Sequence, residues 1–168
     1  MKRLLKILLG LIVVIGGLYL IRLKPKTVTF GHFAGECVGN CGTMYQVGGK
    51  IIIRDTTTFF QAQNNLNKFT IKYQNVVRED DEGKYNNFKM NVPLLMLFDP
   101  RSRFGCPDCH DQGGYYFQFS MLGITRRYQI DRGYEPFYYK DLTIDIDNRI
   151  EKVTVELKQH GRLQAHWQ

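Results

Sequence analysis

The sequence predicts an α+β fold, mainly antiparallel β-sheet with one or two short helices, preceded by a single N-terminal transmembrane helix. Three observations support this prediction. An apolar run without charge occupies residues 7–21, several later segments alternate polar and apolar residues between glycine turns, and the chain contains 11 Phe and 10 Tyr. Alternation and aromatic enrichment are typical of half-buried strands. We therefore expect a membrane segment over residues 1–24 and one globular domain over residues 25–168.

The N-terminal run is long enough to cross a bilayer. Residues 4–23, with Lys6 and Arg22 as snorkelling flanks, would reach about 30 Å as a helix, which is the thickness of a membrane's hydrocarbon core. A cleaved secretory signal would end in a small-x-small site, and no such site follows the run. The pattern therefore favours a retained signal anchor.

Basic residues flank the run on both sides, so the positive-inside signal is split. The six flanking residues are Lys2, Arg3, Lys6, Arg22, Lys24 and Lys26. A six-residue leader normally stays in the cytoplasm. We therefore expect a cytoplasmic N-terminus and a periplasmic or otherwise extracytoplasmic domain.

The net charge of +7 comes from the membrane segment. Six of the 23 Lys and Arg residues lie in the first 26 positions, and all 16 Asp and Glu residues lie beyond them, so residues 27–168 carry 17 − 16 = +1. A nearly neutral domain lacks the basic surface that phosphate backbones require, which argues against a nucleic-acid partner. The expected partners are the membrane and another envelope or membrane protein.

The first half of the domain predicts strands and one hairpin. Residues 27–30 alternate as a half-buried strand does. Residues 44–47 and 50–54 flank Gly48 and Gly49, and a Gly-Gly pair readily supplies the positive φ angles of a type I′ turn.

The next segments predict a helix, a strand and a turn. Asp55 or Thr56 can cap a short helix that extends to Leu66, and residues 69–73 alternate as a strand. The acidic residues 79–82 are contiguous rather than spaced at alternate positions, which indicates a solvated turn and not a calcium loop.

The second half predicts one helical turn and a second hairpin. Residues 92–98 fit a helical turn with proline at its start, stopped by Pro100. Residues 115–121 and 124–130 predict a hairpin around Gly123.

The C-terminal stretch fits two patterns. Residues 142–146 alternate as a strand, but apolar residues over 142–157 also mark one helical face, and Asn148 with Glu151 resembles a capping box. The helical face would consist of Leu142, Ile146, Ile150, Val153 and Leu157. The β-branched residues favour strands slightly.

The four cysteines form two close pairs, Cys37 with Cys41 and Cys106 with Cys109, in glycine-bearing loops at strand ends. Structural disulfides are the first interpretation, because an exported domain meets oxidising conditions. Crosswise bridges would contribute about 4 kcal/mol, and bridges within each pair much less. The spacing leaves all three connectivities open.

Three other chemistries fit the same cysteines. Four thiolates can form a tetrahedral zinc site, although the separation between the pairs is larger than usual. Cys106, Cys109 and His110 match the C-x-x-C-H motif of covalent haem c, with a sixth iron ligand from His32, His160, His166 or a methionine. A thioredoxin-like dithiol would need a helix after Cys106, which Gly113 and Gly114 disfavour.

No catalytic motif is present. The chain lacks a Gly-x-Ser-x-Gly elbow, a P-loop, a His-Glu-x-x-His sequence and a dinucleotide-binding glycine pattern. We therefore predict no catalytic residue, and the sequence favours a role other than that of an enzyme.

Residues 35–41 followed by Tyr45, and residues 105–109 followed by residues 111–115, resemble sequences in small exported domains of Bacteroidota envelopes. The resemblance implies an envelope location and supplies no activity, cofactor or catalytic residue. Together with the anchor, it suggests a disulfide-stabilised interaction module or an accessory subunit of a membrane protein assembly.

Overall fold

The computed structural model describes residues 2–33, 42–48, 51–55, 75–78, 88–106 and 113–159. The elements in these ranges are α1 (Lys2–Leu20), β1 (Arg22–Leu23), β2 (Thr27–Phe33), β3 (Gly42–Gly48), β4 (Ile51–Asp55), β5 (Asn75–Arg78), β6 (Val92–Pro93), α2 (Leu94–Phe98), β7 (Arg103–Phe104), β8 (Gly114–Met121), β9 (Ile124–Ile130) and α3 (Leu142–Gln159). The predicted α+β class is confirmed. The predicted helix ending at Leu66, the strand over residues 69–73 and the acidic turn lie outside the described residues.

Seven of the described strands form one sheet in the order β5-β4-β3-β2-β8-β9-β7. Neighbouring strands are antiparallel, except that the short β7 runs parallel to β9. The strand predicted at residues 27–30 is β2, which lies between β3 and β8 and extends to Phe33. The two-stranded ladder of β1 and β6 is separate from this sheet.

The predicted hairpin around Gly123 is confirmed as β8 and β9. Met121 pairs with Ile124, which leaves Leu122 and Gly123 as the two turn residues. Their φ angles are 51° and 77°, as a type I′ turn requires at both central positions. Leu122 is therefore an L-residue held in the left-handed region, which glycine or asparagine usually occupies.

The hairpin of β3 and β4 is also present, but its predicted turn was one position too early. Gly48 pairs with Ile51 as the last residue of β3, so it belongs to the strand and not to the turn, and residues 49 and 50 lie outside the described residues. A Cβ at position 48 would lie 2.7 Å from Cγ2 of Thr27, so this strand position has little room for a side chain. Close packing, not turn geometry, explains this glycine.

The core lies between one face of the sheet and α3. Side chains from β2, β8 and β9 meet there, and residues of α3 complete the same buried cluster. The central sheet contributors are Val28, Phe30, Phe117, Phe119, Tyr128 and Ile130. Stacked rings strengthen this layer, since Phe119 and Tyr128 lie nearly parallel with centroids 6.3 Å apart.

The slight preference for strands at the C-terminus was wrong, because α3 is an 18-residue helix. Leu142, Ile146, Val153 and Leu157 are buried along it, which is the helical face and not the alternating one. Burying that face against the sheet outweighs the weak strand preference of β-branched residues. The pair Asn148 and Glu151 lies within the helix and does not begin it.

The short helix predicted at residues 92–98 is confirmed as α2. It begins at Leu94, two residues later than predicted, because Val92 and Pro93 form β6, and it ends at Phe98, since Asp99 is extended. Met96 and Leu97 face the core, whereas Phe98 is exposed.

Candidate functional site

Helix α1 has the length and composition of a membrane span. Within the described residues, one segment, Arg3–Leu20, meets this criterion, and none of it is buried against the rest of the chain. Aliphatic side chains are exposed along its whole length. An apolar surface of this extent is typical of a helix that faces lipid, and a signal sequence has the same composition.

The helix passes directly into the domain through a short backbone ladder. The helix ends at Leu20, three residues before the end of the predicted span at Leu23. Arg22 and Leu23 pair with Pro93 and Val92, and Leu94 N donates to Ile21 O at 3.0 Å. Leu23 packs against the domain core, so the apolar run continues from the helix into the domain.

Residues 22–26, shortly after the helix, alternate in exposure. Arg22, Lys24 and Lys26 are exposed, while Leu23 is half-buried and Pro25 is buried. Lys26 N also donates to Ser120 O at 3.2 Å, which joins this segment to β8. This segment therefore has a basic outer side and an apolar inner side.

Aromatic side chains add contacts around the same junction. The Tyr19 hydroxyl donates to Phe137 O at 3.4 Å, and the Arg22 guanidinium lies 5.2 Å from the centre of the Tyr139 ring. The Tyr139 hydroxyl donates to Asp145 at 2.9 Å. Burial raises the pKa of Tyr139, and the Asp145 carboxylate raises it further, so the phenol stays protonated.

A buried polar cluster fixes the end of α2. The Asp99 carboxylate accepts hydrogen bonds from the Arg101 guanidinium, at 2.6 Å from Nη2, and from the Tyr138 hydroxyl. The guanidinium also lies 4.8 Å from the centre of the Phe104 ring. Every partner is supplied from within the domain, so this cluster has the character of a structural element.

A second polar cluster lies at the other end of the sheet. We call the end with Thr27 and Ser120 the junction end, and the end with Phe33 and Gly114 the far end, because these residues pair across β2 and β8. His32 lies near the far end of β2, about 17 Å along the strand from Thr27.

The far-end cluster joins His32, Tyr115, Arg132 and Asp147. His32 Nε2 lies 2.7 Å from Asp147 Oδ1, and Asp147 Oδ2 accepts from the Tyr115 hydroxyl at 3.1 Å and from Arg132 Nη2 at 2.5 Å. Arg132 Nη2 also donates to the Tyr115 oxygen. The side chains of His32 and Arg132 are 48% and 68% exposed, so the cluster is open to solvent.

The protonation pattern of this cluster follows from its geometry. A carboxylate only accepts hydrogen bonds, so the Nε2 that faces Asp147 carries a proton, and Nδ1 of a neutral His32 is an acceptor. Burial raises the pKa of the Tyr115 phenol, which is consistent with its donation to Asp147. The exposed donors of Arg132 and the exposed imidazole of His32, both held by Asp147, form an arrangement that can bind a polar group.

Sequence reasoning considered His32 only as a possible iron ligand and did not identify this cluster. One signal was present: His32 follows Val28 and Phe30 at the same-face positions of β2, where an apolar residue would be expected. Its partner Asp147 is 115 positions away, a separation that no local pattern bridges.

The predicted cysteine sites are placed only in part. Cys106, the one cysteine that the described ranges contain, takes part in a disulfide bond. Cys37, Cys41, Cys109 and His110 lie outside those ranges. The flanking strand ends are close to each other, since Phe33 pairs with both Gly42 and Gly114 at the far end of the sheet.

The described residues contain no group of three or more His, Cys, Asp or Glu side chains that could hold a metal ion. The zinc and haem interpretations involve cysteines outside these residues and stay predictions. No family model matches the chain, and no curated protein or solved structure shows significant similarity to it.

Proposed function

We propose that the chain is a single-pass membrane protein of the cell envelope. In this proposal α1 is a retained anchor with a cytoplasmic N-terminus, and the extracytoplasmic domain is an interaction module or an accessory subunit of a membrane protein assembly. The observation that carries the proposal is the passage from the exposed apolar helix into the ladder of Arg22 and Leu23 with Val92 and Pro93. A domain joined in this way is held at a defined position above the membrane.

The far-end cluster is the proposed recognition surface. It lies at the opposite end of β2 from the anchor, and its exposed His32 and Arg132 are oriented by Asp147 and Tyr115. Preorganised polar groups lose little freedom on binding, which favours specific contact with another protein. The disulfide at Cys106 supports a fold stabilised by its cysteines in an oxidising compartment.

Two measurements test the anchor and its orientation. Full-length protein should remain in the membrane fraction after alkaline carbonate washing and dissolve in mild detergent. A reporter enzyme that is active only outside the cytoplasm, fused after α3, should be active. Release by carbonate would refute the anchor. The orientation would be refuted if this reporter were inactive while a second reporter, active only in the cytoplasm and fused at the same position, were active.

Photo-crosslinking tests the recognition surface. A photoreactive phenylalanine analogue at Arg132, in the far-end cluster, should yield an adduct of discrete mass in native membranes. The same analogue at Glu151, which is exposed on α3, is the matched control and should yield none. Equal amounts of adduct at both positions would refute recognition through the far end. The same conclusion would follow if position 132 gave no adduct and the protein were a monomer in mild detergent.

A further inference from the structure

Exposed apolar side chains collect beside the exit of α1. Phe98, the last residue of α2, is 67% exposed, and Phe137 is 66% exposed. Helix α2 contacts α1 and follows the strand that pairs with Arg22 and Leu23. The Phe137 backbone accepts the hydrogen bond from Tyr19 in the last turn of α1. Both rings therefore project from segments attached to the end of the helix.

A third apolar side chain lies at the same end of the sheet. Leu122, at the tip of the turn between β8 and β9, is 83% exposed and has a φ of 51°. The turn belongs to the junction end, because the nearby Ser120 pairs with Thr27. An exposed leucine in the left-handed region is unfavourable for folding, and such residues are often retained for function.

Basic side chains lie on the segment that joins α1 to the domain. Arg22, Lys24 and Lys26 point to the exposed side of the segment that follows α1. Aromatic rings next to lysine and arginine at the end of a membrane span are typical of the layer of lipid headgroups, where rings enter the interface and cations meet phosphates.

We propose that the domain rests on the bilayer through this surface, with Phe98 and Phe137 inserted among the lipid headgroups and the basic residues contacting their phosphates. The inference rests on the proposed function, because it requires α1 to span the membrane. Lipid is the occupant because the surface is continuous with α1, whose exposed side chains would be in lipid along its whole length. The anchored domain would then lie on the membrane in one orientation.

Tryptophan scanning in the full-length protein tests this contact. The single native tryptophan is first replaced by Trp167→Phe, and one probe is introduced per variant: Phe98→Trp or Phe137→Trp at the surface. Tyr134→Trp is the matched control, because Tyr134 is 61% exposed and packs beside Gly105 after β9, toward the far end. Leu11→Trp, in the middle of α1, reports whether the anchor is in lipid.

The proteins are reconstituted into vesicles of phosphatidylcholine and phosphatidylglycerol, with or without bromine near the glycerol end of the acyl chains. Probes at 98 and 137 should lose at least about twice the fraction of emission that the Tyr134→Trp control loses, since interfacial rings lie close to these bromines. Acrylamide in the water should quench the control more strongly than either surface probe.

The outcomes separate the two proposals. If the Leu11→Trp probe is quenched by bromine while the 98 or 137 probe behaves like the control, the lipid contact is refuted and the anchor stands. If the Leu11→Trp probe is not quenched, both proposals fail. Surface probes shielded from bromine and from acrylamide alike would show that protein, not lipid, covers the surface, and this also refutes the inference.

Discussion

Asp99 offers a direct test of the buried cluster at the end of α2. Its side chain is 6% exposed, and Arg101 donates to it from the backbone N at 2.9 Å, from Nε at 2.9 Å and from Nη2 at 2.6 Å. The hydrogen bond from the Arg101 side chain lowers the pKa of Asp99 to about 2. The substitution Asp99→Asn keeps the shape of the side chain and removes its charge.

The sign of the effect follows from the lowered pKa. With an ordinary pKa of 3.8 and a folded value of about 2, the charged form stabilises the fold above pH 3.8, and this contribution is lost as the pH falls through 2. The difference corresponds to about 2.5 kcal/mol. Asp99→Asn should therefore lower the free energy of unfolding by about 2.5 kcal/mol at pH 7. The difference in free energy of unfolding between the variant and the wild type should nearly vanish near pH 2.

The assay is urea unfolding of the full chain in mild non-ionic detergent, followed by aromatic fluorescence from pH 7 to pH 2. Glu151→Gln, an exposed charge removal on α3, is the control and should change stability by less than about 0.5 kcal/mol. The reasoning would be refuted if the Asp99→Asn protein were as stable as the wild type at pH 7. It would also be refuted if the difference in their free energies of unfolding were the same at pH 2 as at pH 7.

Three further predictions use the same unfolding assay, and a fourth concerns the thiols. A double-mutant cycle of His32→Ala and Asp147→Ala should give a coupling of about 0.5–1 kcal/mol, because His32 Nε2 donates to the Asp147 carboxylate at a partly exposed position; the absence of coupling would contradict this hydrogen bond. Gly31→Ala should cost about 3 kcal/mol or more, because its Cβ would collide with the Thr43 carbonyl, and a cost below about 1 kcal/mol would count against this packing. Leu122→Asn should raise stability by about 1 kcal/mol by relieving the left-handed conformation, whereas a loss would show that the leucine contributes contacts. Natively produced protein, measured by non-reducing mass spectrometry, should lack the four hydrogens of two disulfides and show no Soret band or bound zinc; any other thiol state would revive the haem or zinc interpretation.

Local chemistry explains which elements could be predicted from the sequence. The hairpin around Gly123 follows from two strands with a two-residue turn, and α2 follows from a proline start and a proline stop, so each is encoded in one short contiguous stretch of the chain. The turn after β3 was misplaced by one residue because Gly48 serves a contact with Thr27, more than twenty positions away. A turn-forming residue can thus be required for packing alone.

Long-range packing explains the rest. The segment from Leu142 fits a strand and a helix equally well by pattern, and burial of its helical face against the sheet decides the outcome. The cluster of His32 and Asp147 exists only because α3 crosses the far end of β2, so it follows from the fold and not from a motif. The ladder of Arg22 with Pro93 likewise joins segments that are distant in sequence, so it also follows from the fold.

The position of β2 between β3 and β8 also dictates the order in which the sheet can assemble. Ser120, the partner of Thr27, lies 120 − 27 = 93 positions further along the chain. At ordinary translation rates this stretch takes roughly 5–20 s to synthesise, and one edge of β2 lacks its native partner during that time. The ladder at Arg22 likewise waits for Pro93. The nascent chain therefore carries an open strand edge for seconds, which is the interval in which a chaperone at the ribosome or the membrane would have to act.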